Sequence, residues 1–300
     1  MHTLRPNWLK IRLPSGKNFN EMKGILRENK LHTVCEEALC PNIGECFEQR
    51  TATFLILGDT CTRTCGFCAV KKGSPFGVDE GKPLRIAEAV KKMQLKYVVI
   101  TSVTRDDLSD GGALAYAQTI QCIREYIRDC VIEVLIPDFG GSSESLEIVL
   151  HARPDIINHN IETVPRLYSL VRPMANYERS LELLKSAKET AHEVMTKSGL
   201  MLGLGEEWHE IISTMQDIRN VGCNILTIGQ YLSPKKDALP IRRYYAPEEF
   251  SMLKTEGERM GFLHVESGPL VRSSYHAKAQ SETVILPRMN TNLHELGETL

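Results

Sequence analysis

The chain has 300 residues, of which 42% are hydrophobic and 25% charged, an ordinary globular composition that excludes a disordered, collagenous or coiled-coil chain. Lys and Arg total 36 against 38 Asp and Glu, a formal charge of -2, so no global basic field recruits nucleic acid or an anionic membrane. The apolar runs, such as 97–103, are too short to span a bilayer, and the length suits one large domain with appendages.

The first residues contain no continuous apolar stretch followed by a small-residue cleavage site, so no secretory signal is expected and a cytoplasmic location is the default. Nine cysteines, an odd number, then fit reduced thiols holding a metal better than a disulfide framework. Six of the nine lie within 34 residues. Cys35, Cys40 and Cys46 form a C-x4-C-x5-C group whose spacing is neither that of a zinc finger nor that of a common ferredoxin. The run Phe54-Leu-Ile-Leu-Gly58 reads as a buried strand, and Cys61-Thr-Arg-Thr-Cys65-Gly-Phe-Cys68 follows it as a C-x3-C-x2-C loop at its carboxyl end. Structural zinc sites need four closed ligands, whereas an iron-sulfur cubane held by three thiolates leaves one iron open for a substrate or cofactor. A structural zinc loop is the bland alternative.

Apolar strand-like runs then alternate with amphipathic stretches. Runs at 97–103, 131–137, 155–161, 194–202 and 225–232, with Phe54 to Leu57, make six strands. Between them Ile86, Ala89, Val90 and Met93, then Leu181, Leu184 and Ala187, then Ile211, Met215 and Ile218, recur at helical spacing and read as core. Pro83 and Pro247 suit first helical turns, and Ser142 and Asn176 suit caps. Strand-helix alternation predicts a parallel sheet, whose site gathers at the carboxyl ends of the strands. Thr101 to Asp107, Asn158 to Glu162, Gly203 to Glu206, and Gln230 to Tyr231 fall there. Gly203-x-Gly205 lacks the third glycine of a dinucleotide fingerprint, and Gly111-Gly112 can be a simple turn. His159 reads as a hydrogen-bonded interior or lining residue rather than a metal ligand. Cys122, Cys130 and Cys223 read as ordinary buried cysteines, and the charges of 178–193 as a solvated helix face.

The C-x3-C-x2-C loop with aromatic Phe67 before its last cysteine is similar to the signature of radical S-adenosylmethionine (SAM) enzymes. With Cys40-Pro-Asn-Ile-Gly-Glu-Cys46, Val103-Thr-Arg-Asp-Asp-Leu-Ser-Asp-Gly-Gly112, Asn158-His-Asn-Ile-Glu-Thr163, Gly203-Leu-Gly-Glu206, Gly229-Gln-Tyr-Leu232 and Gly268-Pro-Leu-Val-Arg-Ser-Ser-Tyr-His-Ala277, the chain resembles the lipoyl synthases from about residue 6 to 277. The resemblance implies an α/β fold, an open (β/α)6 partial TIM barrel at 51–263, with an N-terminal extension at 1–50 and a C-terminal segment at 264–300. It implies two [4Fe-4S] clusters. Cys61, Cys65 and Cys68 hold the one whose open iron SAM chelates, with Phe67, Thr104, Asn160, Glu162 and Tyr231 as SAM-binding residues. Cys35, Cys40 and Cys46 hold an auxiliary cluster whose fourth ligand is a serine, assigned to Ser274 with Ser273 as the alternative, since spacing alone cannot separate adjacent hydroxyls. Residues 278–300 match no motif and read as a partly disordered or oligomer-contacting tail.

The implied reaction inserts two sulfur atoms, at C6 and C8, into an octanoyl chain on a lysine of a lipoyl carrier domain. One-electron reduction cleaves SAM to a 5′-deoxyadenosyl radical that attacks unactivated C–H bonds, two SAM being consumed, and the auxiliary cluster supplies the sulfur. Implied partners are octanoylated carriers (E2 subunits of 2-oxoacid dehydrogenases and the glycine cleavage H protein), an electron donor such as flavodoxin or ferredoxin, and an iron-sulfur carrier for cluster repair. The rivals are another radical SAM sulfurtransferase such as biotin synthase, and a non-catalytic iron-sulfur or zinc module that binds nucleic acid or senses redox state.

Overall fold

The computed structural model describes residues 6–10 and 14–282. The N-terminal part contains helix α1 (Lys17–Glu28), strand β1 (His32–Thr33) and helices α2 (Val34–Glu37) and α3 (Ile43–Glu48). The chain then runs through β2 (Thr53–Leu55), the short pair β3 (Thr60–Cys61) and β4 (Lys71–Lys72), α4 (Lys82–Lys92), β5 (Tyr97–Thr101), α5 (Ala113–Tyr126) and β6 (Val131–Leu135). It continues with α6 (Ser143–His151), β7 (Ile156–Asn158), α7 (Tyr168–Val171), α8 (Tyr177–Thr190), β8 (Met195–Leu202), α9 (Trp208–Asn220), β9 (Ile225–Gln230), α10 (Pro247–Arg259), β10 (His264–Gly268) and α11 (Ala277–Glu282).

One eight-stranded sheet runs β1-β2-β5-β6-β7-β8-β9-β10. Every pairing from β2 onward is parallel, and only β1 joins antiparallel, with His32 opposite Leu55. This is the expected parallel α/β sheet of an open partial barrel, with two strands more than the six expected, the antiparallel β1 and the parallel β10. The parallel addition, β10, pairs with β9 from His264 to Gly268. Its sequence, His-Val-Glu-Ser-Gly, lacks an apolar run because an edge strand buries only Val265 fully, so periodicity passes over it. The serine-bearing segment therefore begins inside the sheet, as the N-terminal part also does through β1.

The helical stripes are core as expected: Ile86, Ala89, Val90, Met93, Leu184, Ile211, Met215 and Ile218 are all buried against the outer face of the sheet. Pro83 and Pro247 sit in the first turns of α4 and α10. Ser142 and Asn176 cap α6 and α8, their side chains accepting from the backbone N–H groups of Ser145 and Arg179. Gly111-Gly112 is a required turn. Both have positive φ, and a Cβ on Gly112 would lie 2.2 Å from Leu57 Cδ1, while Asp110 accepts from the N–H groups of Gly112 and Leu114 to cap α5. Of the 278–300 tail, 278–282 continues helix α11, whose first residue Ala277 is buried in one cluster with Tyr97, Ile156, Met195 and Ile225. Residues 283–300 lie outside the described residues. No helix among the described residues is long and apolar enough to cross a membrane.

Candidate active site

A cavity of about 700 Å³ opens at the carboxyl ends of the strands, and both cysteine trios line it. Cys35 lies on α2, Cys40 on the following turn and Cys46 on α3. Thr33 starts this unit by accepting the Glu36 N–H with its side chain, and Asn42 ties it to the C-terminal segment by donating Nδ2 to the Leu270 carbonyl at 2.6 Å. Burial pushes the Cys35 thiol up to about 12, and neighbouring Cys40 adds to the shift. Burial likewise raises Cys46, with Cys35 and Cys40 adding, and all three cysteines line the one cavity.

The second trio is on the loop spanning β3 and the turn after it. Two cross-links from motif 103–112 hold this loop. Thr62 donates its N–H to the Thr104 carbonyl and its hydroxyl to Asp106. Arg63, buried, donates to Asp106 at 2.8 Å and to fully buried Asp138 at 2.6 Å. Burial pushes the Asp138 carboxyl up, but the hydrogen bond and charge of Arg63 outweigh it and hold the group at about 2. The Arg63 N–H also points at Cys61 Sγ, 3.4 Å away. Burial pushes Cys68 up to about 11, with Cys65 and Cys61 adding, and raises Cys65 against the opposing charge of Arg172. Protonated buried thiols are poor ligands until deprotonated, so loading a metal here displaces protons.

The residues expected at the SAM site are brought together with the second trio: Phe67, Thr104, Asn160, Glu162 and Tyr231 all line the cavity. Asn160 donates to Glu162 at 3.1 Å. Glu162 holds a positive φ of 70°, and burial raises its carboxyl against the charge of Arg172. Tyr231 packs against Val164, Val171 and Phe67 and spends its hydroxyl on the Leu239 carbonyl, so it offers the cavity a ring face. Thr104 contributes its carbonyl to the cysteine loop. Gly203 to Glu206 and Gln230, read from sequence as ligand-facing, are scaffold. The Glu206 carboxylate accepts three backbone N–H groups of its own turn, and Gln230 binds the Leu202, Tyr231 and Arg243 carbonyls. Neither side chain lines the cavity.

Ser273 and Ser274 both reach the cavity wall. Ser273 Oγ accepts from Asn158 Nδ2 at 2.8 Å and donates to Asn160 Oδ1 at 2.9 Å, whereas among the described residues the Ser274 hydroxyl has no hydrogen-bond partner. Sequence reading missed Arg172 and Arg272. Arg172 is buried, donates NH1 to the Asn160 and Ile161 carbonyls and leaves Nε without a partner. Arg272 lines the same cavity as Cys40 and Glu162; burial pushes its guanidinium down, and the charges of Cys40 and Glu162 oppose that effect. A single guanidinium gives no periodic signal, although Arg272 lies within a quoted motif. His159 is the interior residue expected, Nδ1 against the Ile136 carbonyl and Nε2 against Ser180 Oγ. Cys130 and Cys223 are buried and Cys122 partly so.

Among the described residues no group of three or more His, Cys, Asp or Glu side chains is gathered for a single metal ion. A cubane asks for something else, one thiolate on each of three irons. The donor set fits it: two trios of soft thiols line one cavity together with serine hydroxyls and guanidinium groups.

The Radical SAM superfamily model matches residues 55–218, and the model for the N-terminal domain of lipoyl synthase of the radical SAM family matches residues 2–40. The lipoyl synthase of Rubrobacter xylanophilus is 59% identical over 278 residues, covering 93% of this chain and 87% of that protein. That of Koribacter versatilis is 54% identical over 283 residues, covering 94% and 93%. Among solved structures, the [FeFe]-hydrogenase maturase HydG aligns with a TM-score of 0.55 at 17% identity, covering 81% of this chain and 54% of that one. Methylornithine synthase PylB aligns at 0.54 with 12% identity, covering 83% and 81%. These two show the fold alone.

Proposed function

The chain belongs to the lipoyl synthase family of the radical SAM superfamily, and from that premise we propose how its residues divide the reaction. It is an enzyme that inserts sulfur to make the lipoyl group on a lipoyl carrier protein; the biotin synthase-like and non-catalytic readings are not favoured by these relatives. The single observation that carries the division of labour is the shared cavity, which both cysteine trios and Ser274 line.

Cys61, Cys65 and Cys68 would hold the SAM-binding cluster, and Cys35, Cys40, Cys46 and Ser274 the auxiliary one. When bound, these groups with SAM supply the radical cleavage and the sulfide, chemistry that no side chain here provides for an unactivated methylene. The protein's own residues orient and enclose. Arg172 and Asn160 fix Glu162 beside the cysteine loop, Tyr231 and Phe67 present an apolar wall, and Arg63 with Asp106 and Asp138 locks the loop to the strand ends. Positive guanidinium groups at Arg172 and Arg272 sit where anionic ligand groups and thiolates need compensation. A serine oxygen is a harder and more labile ligand for iron than a thiolate, which suits a cluster that is opened in use. The octanoyl chain would enter through the cavity mouth beside exposed Leu39. An electron donor such as flavodoxin or ferredoxin, and an iron-sulfur carrier that renews the auxiliary cluster, complete the reading, with residues 1–50 and 264–300 acting as the two arms that build the auxiliary site onto the barrel.

The test separates the two functions. Replacing Cys61, Cys65 and Cys68 with Ala should abolish reductive SAM cleavage and halve the iron content. Replacing Cys35, Cys40 and Cys46 should also halve the iron yet leave SAM cleavage in place with no lipoyl product. SAM cleavage in the first variant, or sulfur insertion by the second, would overturn the assignment.

A further inference from the structure

Within the sheet, at the foot of the cavity, lies a polar cluster that the reading above leaves without a role. Glu133 on β6 and Lys197 on β8 pair at 3.1 Å, their side chains 0% and 1% exposed, and the Tyr97 hydroxyl donates to the same Glu133 oxygen. A buried ion pair costs much of its attraction in desolvation and is a poor source of stability, so its value lies in what it orders. The free oxygen of Glu133 accepts from Asn158 Nδ2 at 2.7 Å. An ionised carboxylate accepts only, so it fixes which end of the Asn158 amide faces it, and Asn158 Oδ1 is left buried without a partner. The second hydrogen of the same Nδ2 then goes to Ser273 Oγ, 115 residues later in the chain. Ser273 passes its own hydrogen to Asn160, and Asn160 donates to Glu162. Each hydrogen is used once, all in the direction Asn158 to Ser273 to Asn160 to Glu162.

We propose that Asn158, seated on the Glu133–Lys197 pair, is a positioning residue that clamps Ser273 and so presents Ser274 to the auxiliary cluster. The proposal deepens the reading of Ser274 as a ligand and rests on it. The clamp settles which serine is spent: Ser273 both accepts and donates, while its neighbour keeps its oxygen for the cavity. The far side of Ser274 is tethered as well. Tyr275 Oη and His276 Nε2 meet the two oxygens of Glu45 at 3.1 and 3.0 Å, and Glu45 precedes the ligand Cys46 on α3. Ser274 is thus held between an anchor in the sheet interior and an anchor on the unit that carries the first trio.

The experiment is peptide-resolved hydrogen exchange on the anaerobically reconstituted full chain, with SAM cleavage and lipoyl yield measured alongside. Asn158→Ala and Ser273→Ala should each speed exchange of the amides of 270–276 by about tenfold, the worth of one ordinary hydrogen bond, while the strands stay protected. Asn158→Ala should also raise the ratio of 5′-deoxyadenosine to lipoyl product. Ser273→Thr keeps the hydroxyl and should restore protection, and this pair carries the test where Asn158→Ala does not fold. Unchanged exchange in 270–276, or an increase spread evenly over the strands, overturns the clamp. Full sulfur insertion by Ser274→Ala would instead defeat the ligand reading, leaving the clamp to be judged by exchange alone.

Discussion

Arg63→Ala removes a buried cation that ties the cysteine loop to the segments following β5 and β6. Its guanidinium serves two carboxylates, and they differ in what they lose. Asp106 is 35% exposed at its side chain, so water takes over much of its interaction and the loss there is small. Asp138 is fully buried, and stripping one partner from a buried pair costs about 3–5 kcal/mol because a charge is left uncompensated. Asp138 keeps the Gly140 N–H at 3.2 Å and Arg179 at 3.5 Å, which places the expected loss at the low end, about 3 kcal/mol, on the order of 6 °C in Tm for a chain of this size. Chemical denaturation of the metal-free protein at pH 7 measures it. The pH dependence supplies a signature that a simple cavity does not have. The native Asp138 carboxyl is depressed from 3.8 to about 2, so the wild type draws stability from it above pH 3.8 and loses it as pH falls through about 2. The variant lacks that depression, and its deficit should shrink below about pH 4 as Asp138 takes up a proton at little cost. A deficit under 1 kcal/mol, or one independent of pH, would refute the argument that this pair holds the loop.

Gly229→Ala tests the seat of the C-terminal segment: a Cβ there would lie 2.0 Å from the Val271 carbonyl oxygen, so the strand stays paired while 270–276 is pushed off. Auxiliary iron and lipoyl product should be lost with SAM cleavage retained, and full product yield would show that the segment lies elsewhere. His159 is held at about 4, first by burial and then by the charge of Arg172, against about 6.5 when unfolded. The unfolded state binds the extra proton, so stability should fall by up to ~3 kcal/mol between pH 6.5 and 4; His159→Gln should flatten that part of the stability curve, and an unchanged slope would exclude His159 as its source. Ser274→Ala should block sulfur insertion with SAM cleavage intact, and Ser274→Cys should give a stable auxiliary site with poor turnover, both read by iron content and single-turnover product yield; equal activity in all three proteins would remove the serine from the ligand set.

What the sequence by itself determined was whatever repeats with a local period or sits at fixed spacing. The cysteine trios were legible because thiols at C-x4-C-x5-C and C-x3-C-x2-C spacing face one pocket whatever surrounds them. Six strands and the stripes of Ile86, Leu184 and Met215 were legible because burial on one face writes a period into the residues. The tertiary structure alone decided the rest. β10 belongs to the sheet though Glu266 and Ser267 hide it, because an edge strand needs no apolar alternation. Glu206 and Gln230 look like ligands in a motif and turn out to brace loops, since a polar group at a strand end is satisfied by whichever backbone the fold brings within 3 Å. The different settings of Ser273, hydrogen-bonded on both sides, and Ser274 needed Asn158 and Asn160, more than a hundred residues away in the chain. No local pattern encodes a hydrogen bond across that distance; it exists only once the sheet has closed around it.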